Sequence, residues 1–440
     1  MNSLNGLLRS RPGDSPAIYD SRGVVSSAGL LDAANTLRAG ILAPLRGQAV
    51  SVQCGHTMAY INALAALDGL AGRMLLIEDT VELSMRERFE GLAGISWRIT
   101  ARQDGIQAEQ IAPECAGNGG TEWVIPTSGT TGEPKLIAHT FQSLARTVKP
   151  PSSTSAGLRW GLLYSPTRFA GLQVILQALG GGSGLIVPDS ISGLDNAVPL
   201  LARHSCNALS ATPSLWRKLA FSGLLDSLNL AVVTLGGETA DQKILDELRR
   251  HFPFATIRHI YASTEAGVGF SVSDGQAGFP RSYLNDPPPW VELLLDEDGI
   301  LMLRPRDANQ RLLSDSGSLS DKKGWISSGD LVELRGDRCH FLGRSNGMIN
   351  VGGVKVHPSQ VEETLLEVEG IVSARAYAKA NPVLGSLVIA DIVIAPEYEE
   401  TDIRRKVNDH CRQHLERHQT PAMLNFVISH GLTPAGKIKR

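Results

Sequence analysis

The sequence has no C-x-x-C pair, no long apolar run and no excess of basic charge. Its five cysteines, Cys54, Cys115, Cys206, Cys339 and Cys411, are odd in number and far apart. That excludes an obvious zinc knuckle or disulfide framework and fits a reducing compartment. No stretch approaches the ~18 apolar residues of a membrane span. The first residues are too weakly apolar for a signal peptide, so a cytoplasmic protein is expected. Net charge is −3 over 440 residues, which argues against a nucleic-acid binder. One more absence concerns "GLTPAGKIKR" at 431–440. Gly431, Gly436 and Lys437 have the spacing of a P-loop, but Ile438 stands where Mg²⁺ chemistry needs Ser or Thr. No helix follows, so this is not a Walker A loop.

What is present is strand–helix alternation. Short apolar runs at 49–54, 73–79, 184–189, 207–212 and 231–237 read as buried strands. Helical patterns at 57–70, 172–180, 213–221 and 241–252 lie between them. This predicts a layered α/β fold with largely parallel strands. After "NDPPPW" (285–290) the pattern changes to hairpins, turning at Asp298–Gly299 and Gly336–Asp337. "GRSNG" (343–347) reads as a linker. Beyond it, helices at 358–369 and near 401–418, with strands at 372–379, 387–395 and 424–429, predict a small α+β domain. The last forty residues hold eight Lys/Arg against three Asp/Glu, which makes a solvated face or a local anion-binding surface.

The strongest chemical signal is "TSGTTGEPK" (127–135), directly after the strand pattern "EWVIP". Thr127, Ser128, Thr130 and Thr131 supply hydroxyls, Gly129 and Gly132 let the backbone approach a ligand, and Lys135 supplies a cation. Such a loop is a nest for polyphosphate. It resembles the phosphate loop of the adenylate-forming superfamily, which holds acyl- and aryl-CoA synthetases, adenylation domains of nonribosomal peptide synthetases, and luciferases. "YASTEAG" (261–267), "GWISSGD" (324–330), "FLGRSNGMINVGGVKVHPSQVEE" (341–363) and "PAGKIKR" (434–440) resemble further motifs of that family, in its order.

The resemblance implies a large layered α/β N-terminal domain with an appended β portion, at 1–343. It also implies a small mobile α+β C-terminal domain at 344–440. The implied first step is attack of a carboxylate on the α-phosphate of ATP. By resemblance, Thr127, Ser128, Gly129, Thr130, Thr131, Gly132, Lys135 and Gly237 belong to the ATP site, with Thr127, Ser128, Thr130 and Lys135 on the β- and γ-phosphates. Thr264 would bond the α-phosphate, Glu265 would ligate Mg²⁺, and Tyr261 would pack on adenine. Asp330 would accept from the ribose hydroxyls and Arg344 would bind ribose or phosphate. Lys437 would be carried in by the C-terminal domain to neutralise charge developing between two anions. Asn346 falls at the hinge, where many members have Asp or Lys; Gly352 and Gly353 would line a thiol passage, or simply form a tight turn.

"YSPTRFAGLQV" (164–174) resembles the segment that opens the acid pocket, with Phe169 at the aromatic gate. Ala170 stands where amino-acid-activating members carry an Asp for the substrate ammonium. A buried cation without a partner is costly, so the expected acid has no α-amino group. Gly236 and Gly267 put small residues in the expected pocket walls, giving room for a flat ring or slender chain. His410, His414 and His418 fall on one face of the helix pattern; a polar face, not a metal site, is the expectation. His139 is expected to be structural. The sequence thus reads as an ATP- and Mg²⁺-dependent ligase for an aryl or fatty acid, with CoA as thiol acceptor. A carrier-protein phosphopantetheine as acceptor, and a catalytically inactive nucleotide-binding homologue, stand as alternatives.

Overall fold

The computed structural model describes residues 3–114, 120–127, 135–189, 193–306, 310–313, 318–381, 385–431, 433 and 436–438. Most of the phosphate loop, Ser128, Gly129, Thr130, Thr131 and Gly132 included, lies outside them.

Among the described residues the strands form four sheets. The eight-stranded sheet centres on Val232–Gly236, flanked by Ala208–Ala211 and Thr256–Ser263 in parallel register. The seven-stranded sheet centres on Ala49–Cys54 and Arg73–Glu78, also parallel. Helices Thr57–Leu67 and Phe169–Gly180 supply much of one apolar core, shared with strands of both sheets. Helices Pro213–Phe221 and Gln242–His251 cover the opposite face of the larger sheet around a second core that includes Trp216, Val233 and Leu235. Each such side chain, fully buried, contributes about 1.5–3 kcal/mol. The expected α/β layering holds, but the parallel strands divide between two sheets.

Local chemistry sets the element ends. Thr212 caps its helix by accepting from Leu215 N at 3.1 Å, and Pro213 fills the first helical position, where no N–H is needed. Asp241 caps Gln242–His251 in the same way at 3.1 Å. Its last turn carries Arg249, Arg250 and His251, which complement the helix dipole.

Both expected hairpins are present, as Val291–Leu295 with Ile300–Pro305 and as Ile326–Arg335 with Arg338–Arg344. Together with Phe279–Pro280 they make a five-stranded sheet. The C-terminal unit has its own core, from Ile349 to Leu424, under helices Pro358–Glu367 and Glu400–His414. The second helix stops at His414 rather than near 418. Leu415, only 8% exposed, turns inward in extended conformation and ends it.

Candidate active site

The ends of the phosphate loop are in cross-strand register. Thr127 closes Glu122–Thr127 and pairs with Lys135, which opens the antiparallel Lys135–His139. The loop is therefore flanked by two paired antiparallel strands. The Thr127 hydroxyl oxygen is enclosed and has no hydrogen-bond partner among the described residues. An orphaned hydroxyl opposite a lysine, at the base of such a loop, fits a phosphate ligand.

Tyr261, within strand Thr256–Ser263, packs against the apolar core of the five-stranded sheet. Its ring lies between Phe270 and Phe341, with centroids at 5.1 and 5.0 Å and near-parallel planes. Both ring faces are thus held by phenylalanines, which leaves the hydroxyl as the end that reaches Asp330. It donates to Asp330 Oδ2 at 2.6 Å. Arg344 Nε donates to Asp330 Oδ1 at 2.8 Å, and Arg344 Nη1 donates to the Ser328 carbonyl at 2.8 Å. Asp330 is thereby fixed in orientation by two donors from different strands. Its side chain is 17% exposed.

Thr264 and Glu265 follow directly in the turn. His139 Nε2 donates to the Thr264 carbonyl at 2.9 Å, its Nδ1 lies 3.2 Å from Ser143 Oγ, and its ring lies 5.8 Å from Phe169. Burial pushes the imidazole down to about 4, so it is neutral at pH 7. His139 thus ties the turn carrying Thr264 to the helix that opens at Phe169. Gly267 has φ +75°, and a β-carbon there would stand 2.8 Å from Arg146 Nη2. Arg146 in turn donates to the Ala266 and Val268 carbonyls at 3.0 and 3.3 Å. Ala170 is half-buried beside Phe169 in the first turn of its helix.

The chain terminus reaches this same cleft. Thr212 donates its hydroxyl to the Gly436 carbonyl. Ile438 N donates to Glu238 Oε1 at 3.2 Å, while Glu238 Oε2 accepts from Ser214 N at 3.0 Å. Lys437, held between these two clips, packs its Cε against Gly237. Loss of solvation holds its ammonium below the usual lysine range, and Arg344 acts the same way; Glu238, Asp330 and Glu265 oppose this. Lys437 is nonetheless an exposed residue, so its charge is crowded by its neighbours rather than sealed from solvent.

Asn346 sits in the short turn Ser345–Gly347, directly after Arg344. Gly352 and Gly353, with φ of +60° and +90°, form an exposed turn between Ile349–Val351 and Val354–Val356. Gly353 N donates to Asn350 Oδ1 at 2.9 Å. His410 pairs with Glu367 at 2.8 Å and His418 lies beyond the helix end, so the three histidines do not share a helical face. No group of His, Cys, Asp or Glu suited to a metal occurs among the described residues. A single carboxylate such as Glu265 still suits Mg²⁺, which is commonly held by one or two carboxylates plus substrate phosphates.

Sequence reasoning missed Thr212, Glu238, Phe270 and Phe341. Thr212 carried one usable signal, since Thr-Pro before an apolar helix pattern marks an N-cap. No helix among the described residues is long and apolar enough to cross a membrane.

Comparison with known proteins gives the same outline. The family model described as AMP-binding enzyme matches residues 77–298, and that of the AMP-binding enzyme C-terminal domain matches residues 360–437. The mitochondrial acyl-coenzyme A synthetase ACSM2 of Rattus norvegicus is 26% identical over 348 residues, covering 71% of this chain and 59% of its own length. The 3,4-dihydroxybenzoate–[aryl-carrier protein] ligase of Bacillus anthracis is 25% identical over 331 residues, covering 71% of each. The solved anthranilate CoA ligase AuaEII, in complex with anthranoyl-AMP, has a TM-score of 0.78 at 17% identity, covering 100% of this chain and 95% of that one. This last likeness is one of fold.

Proposed function

The chain belongs to the AMP-binding enzyme family, within the adenylate-forming superfamily, and on that premise we propose that it activates a non-amino carboxylic acid, aryl or fatty, with ATP and transfers it to the thiol of CoA. One observation carries the reading. Lys437, from the far end of the chain, lies in the cleft whose charges include Glu265, Asp330 and Arg344. A lysine on a C-terminal arm has no structural need to be there.

The chemistry follows from the residues. A substrate carboxylate oxygen attacks the α-phosphorus of ATP, a C(O)O–P bond forms, and the bond to pyrophosphate breaks. Two anions must approach, so the cleft has to supply cations and donors. Lys437 and Lys135 supply charge, and Thr127 and the remaining loop residues supply donors to the phosphates. Asp330, oriented by Tyr261 and Arg344, accepts from ribose hydroxyls. Mg²⁺, held by Glu265 and the phosphates, would offset charge on the nucleotide. Gly237 leaves room for Lys437 beside the reacting groups. Phe169, Ala170, Gly236 and Gly267 bound the acid pocket. Ala170 offers no anion to an α-ammonium, which favours acids without one.

In the second step the thiol displaces AMP. We take Arg344–Gly347 as the pivot between 1–343 and 344–440, with Asn346 at the hinge and Gly352 and Gly353 presented to the cleft after rotation. The rat relative is named for coenzyme A and the Bacillus relative for an aryl-carrier protein, so both acceptors enter the test. ATP–pyrophosphate exchange over a panel of acids, followed by transfer to CoA or to a phosphopantetheinylated carrier, decides the acid and the acceptor. Exchange with amino acids alone would refute the Ala170 argument. Nucleotide binding without exchange on any acid would favour an inactive homologue.

A further inference from the structure

The acid-activating reading leaves one row of side chains unused. Strands Val232–Gly236 and Thr256–Ser263 pair Thr234 with Arg258 and Gly236 with Ile260. Successive side chains alternate between the faces of a sheet. Val233, Leu235 and Ile257 enter the core under the outer helices. Thr234, Gly236, Arg258 and Ile260 therefore share the opposite face. Tyr164 adjoins them there, donating its hydroxyl to the Gly236 carbonyl at 3.2 Å, and Ser210 pairs with Thr234.

A β-carbon on Gly236 would meet nothing closer than 3.7 Å, so this part of the pocket wall is open. Two residues further along the same face, roughly 7 Å at the ordinary strand rise, stand Thr234 and Arg258. Thr234 is 4% exposed, and its hydroxyl oxygen has no hydrogen-bond partner among the described residues. Arg258 is half-buried, and its Nε is enclosed and equally without a partner. Loss of solvation holds its guanidinium below the usual arginine range, with no opposing acid among the described residues. A cation and a hydroxyl thus stand at one depth beneath an open wall, the guanidinium Nε and the hydroxyl oxygen both without a partner among the described residues. Buried polar groups are ordinarily paired, and an unpaired cation is the costliest exception.

We propose that Arg258 and Thr234 form a receiving site for a second carboxylate at the far end of the acid, so that the substrate class is a dicarboxylic acid activated at one end. A guanidinium fork matches a carboxylate in geometry and charge, and the threonine hydroxyl supplies one more donor. The far carboxylate takes no part in bond making; it fixes the depth at which the near one meets ATP. The assignment rests on the acid-activating reading and narrows it.

The test compares the full-length protein with R258M and R258K. Exchange of pyrophosphate is measured with linear dicarboxylic acids over a range of lengths and with terephthalate. Each is matched to a monocarboxylic acid of the same length, p-toluate serving for terephthalate. The wild type is expected to prefer one diacid over its match by roughly 10–100-fold in kcat/KM, the range of a hydrogen-bonded charge contact. R258M should abolish that preference while leaving monoacid turnover equal or higher, and R258K should restore part of it. Thermal melting with the same acids in the absence of ATP gives a reading independent of activity. The diacid should raise the wild-type Tm and leave that of R258M unchanged. If monoacids are preferred and R258M changes nothing, the second-carboxylate site is refuted while adenylation stands. An Arg258-dependent Tm rise without exchange on any acid would support the site and refute the adenylation reading. Neither exchange nor an Arg258-dependent shift would refute both.

Discussion

A β-carbon on Gly237 would lie 3.4 Å from Cε of Lys437, a residue close to the end of the sequence. Gly237 has φ +83°, a conformation that costs an L-residue about 1–2 kcal/mol. Both facts make this glycine the floor on which the terminal lysine rests. Gly237→Ala is expected to slow ATP–pyrophosphate exchange by roughly tenfold, through strain and a displaced ammonium. Exchange unchanged in a folded variant would separate Gly237 from the chemistry.

Tyr261 is expected to act through Asp330. Its hydroxyl bond to that carboxylate is 2.6 Å, and such bonds to charged groups contribute about 1.5–3 kcal/mol. Tyr261→Phe keeps the stack with Phe270 and Phe341 but frees Asp330. The KM for ATP should rise about tenfold with little change in the KM for the acid. Equal rises in both would point to a general loss of structure instead.

Lys243 bridges the two parts of the chain. Its ammonium donates to the Leu366 carbonyl and to those of Val368 and Ile371 at 3.5 and 3.2 Å. Leu366 and Val368 lie at the C-terminal end of helix Pro358–Glu367, where a cation is favoured, and Ile371 opens the strand that follows. The contact holds the C-terminal unit where Lys437 meets the cleft. Lys243→Met should slow adenylation by about tenfold and leave thioester formation from preformed acyl-adenylate unchanged. Equal slowing of both half-reactions would contradict this positioning role.

Glu363, on that same helix, gives a pH signature. Burial first, then the neighbouring Asp241, push its carboxyl up to about 7, with Arg335 opposing. A carboxyl raised on docking binds its proton more tightly in the docked state. Its contribution to docking is therefore complete below the ordinary carboxylate range and is lost as pH rises through about 7. The adenylation rate should decline above that pH, and Glu363→Gln should flatten the decline. A profile identical in the two proteins would refute the assignment.

Much of this was legible from local chemistry. The turns at Asp298–Gly299 and Gly336–Asp337 announced their hairpins, because Gly adopts the positive φ each requires. The helical pattern at 213–221 announced helix Pro213–Phe221. The division of parallel strands into two sheets was not legible. Buried runs such as 49–54 and 207–212 are alike in composition, and pairing is decided by distant partners. The pairing of the two strands that flank the phosphate loop was hidden for the same reason, since the Thr127↔Lys135 register is a tertiary fact. His139 was expected to be structural, but its partner, the Thr264 carbonyl, has no side-chain signature. Arg258 has no signature of its own, because one arginine in a strand reads as an edge residue until its neighbours are known.

Lys437 is proposed as the cation that allows two anions to meet. Lys437→Ala should lower the rate of acyl-adenylate formation by roughly 10²–10³-fold, the loss typical of one preorganised electrostatic contact. Transfer from preformed acyl-adenylate to the thiol should proceed at the wild-type rate, because the proposed turn of the C-terminal unit takes the lysine out of the cleft. Acyl-adenylate formation at the wild-type rate in the folded variant would contradict the account.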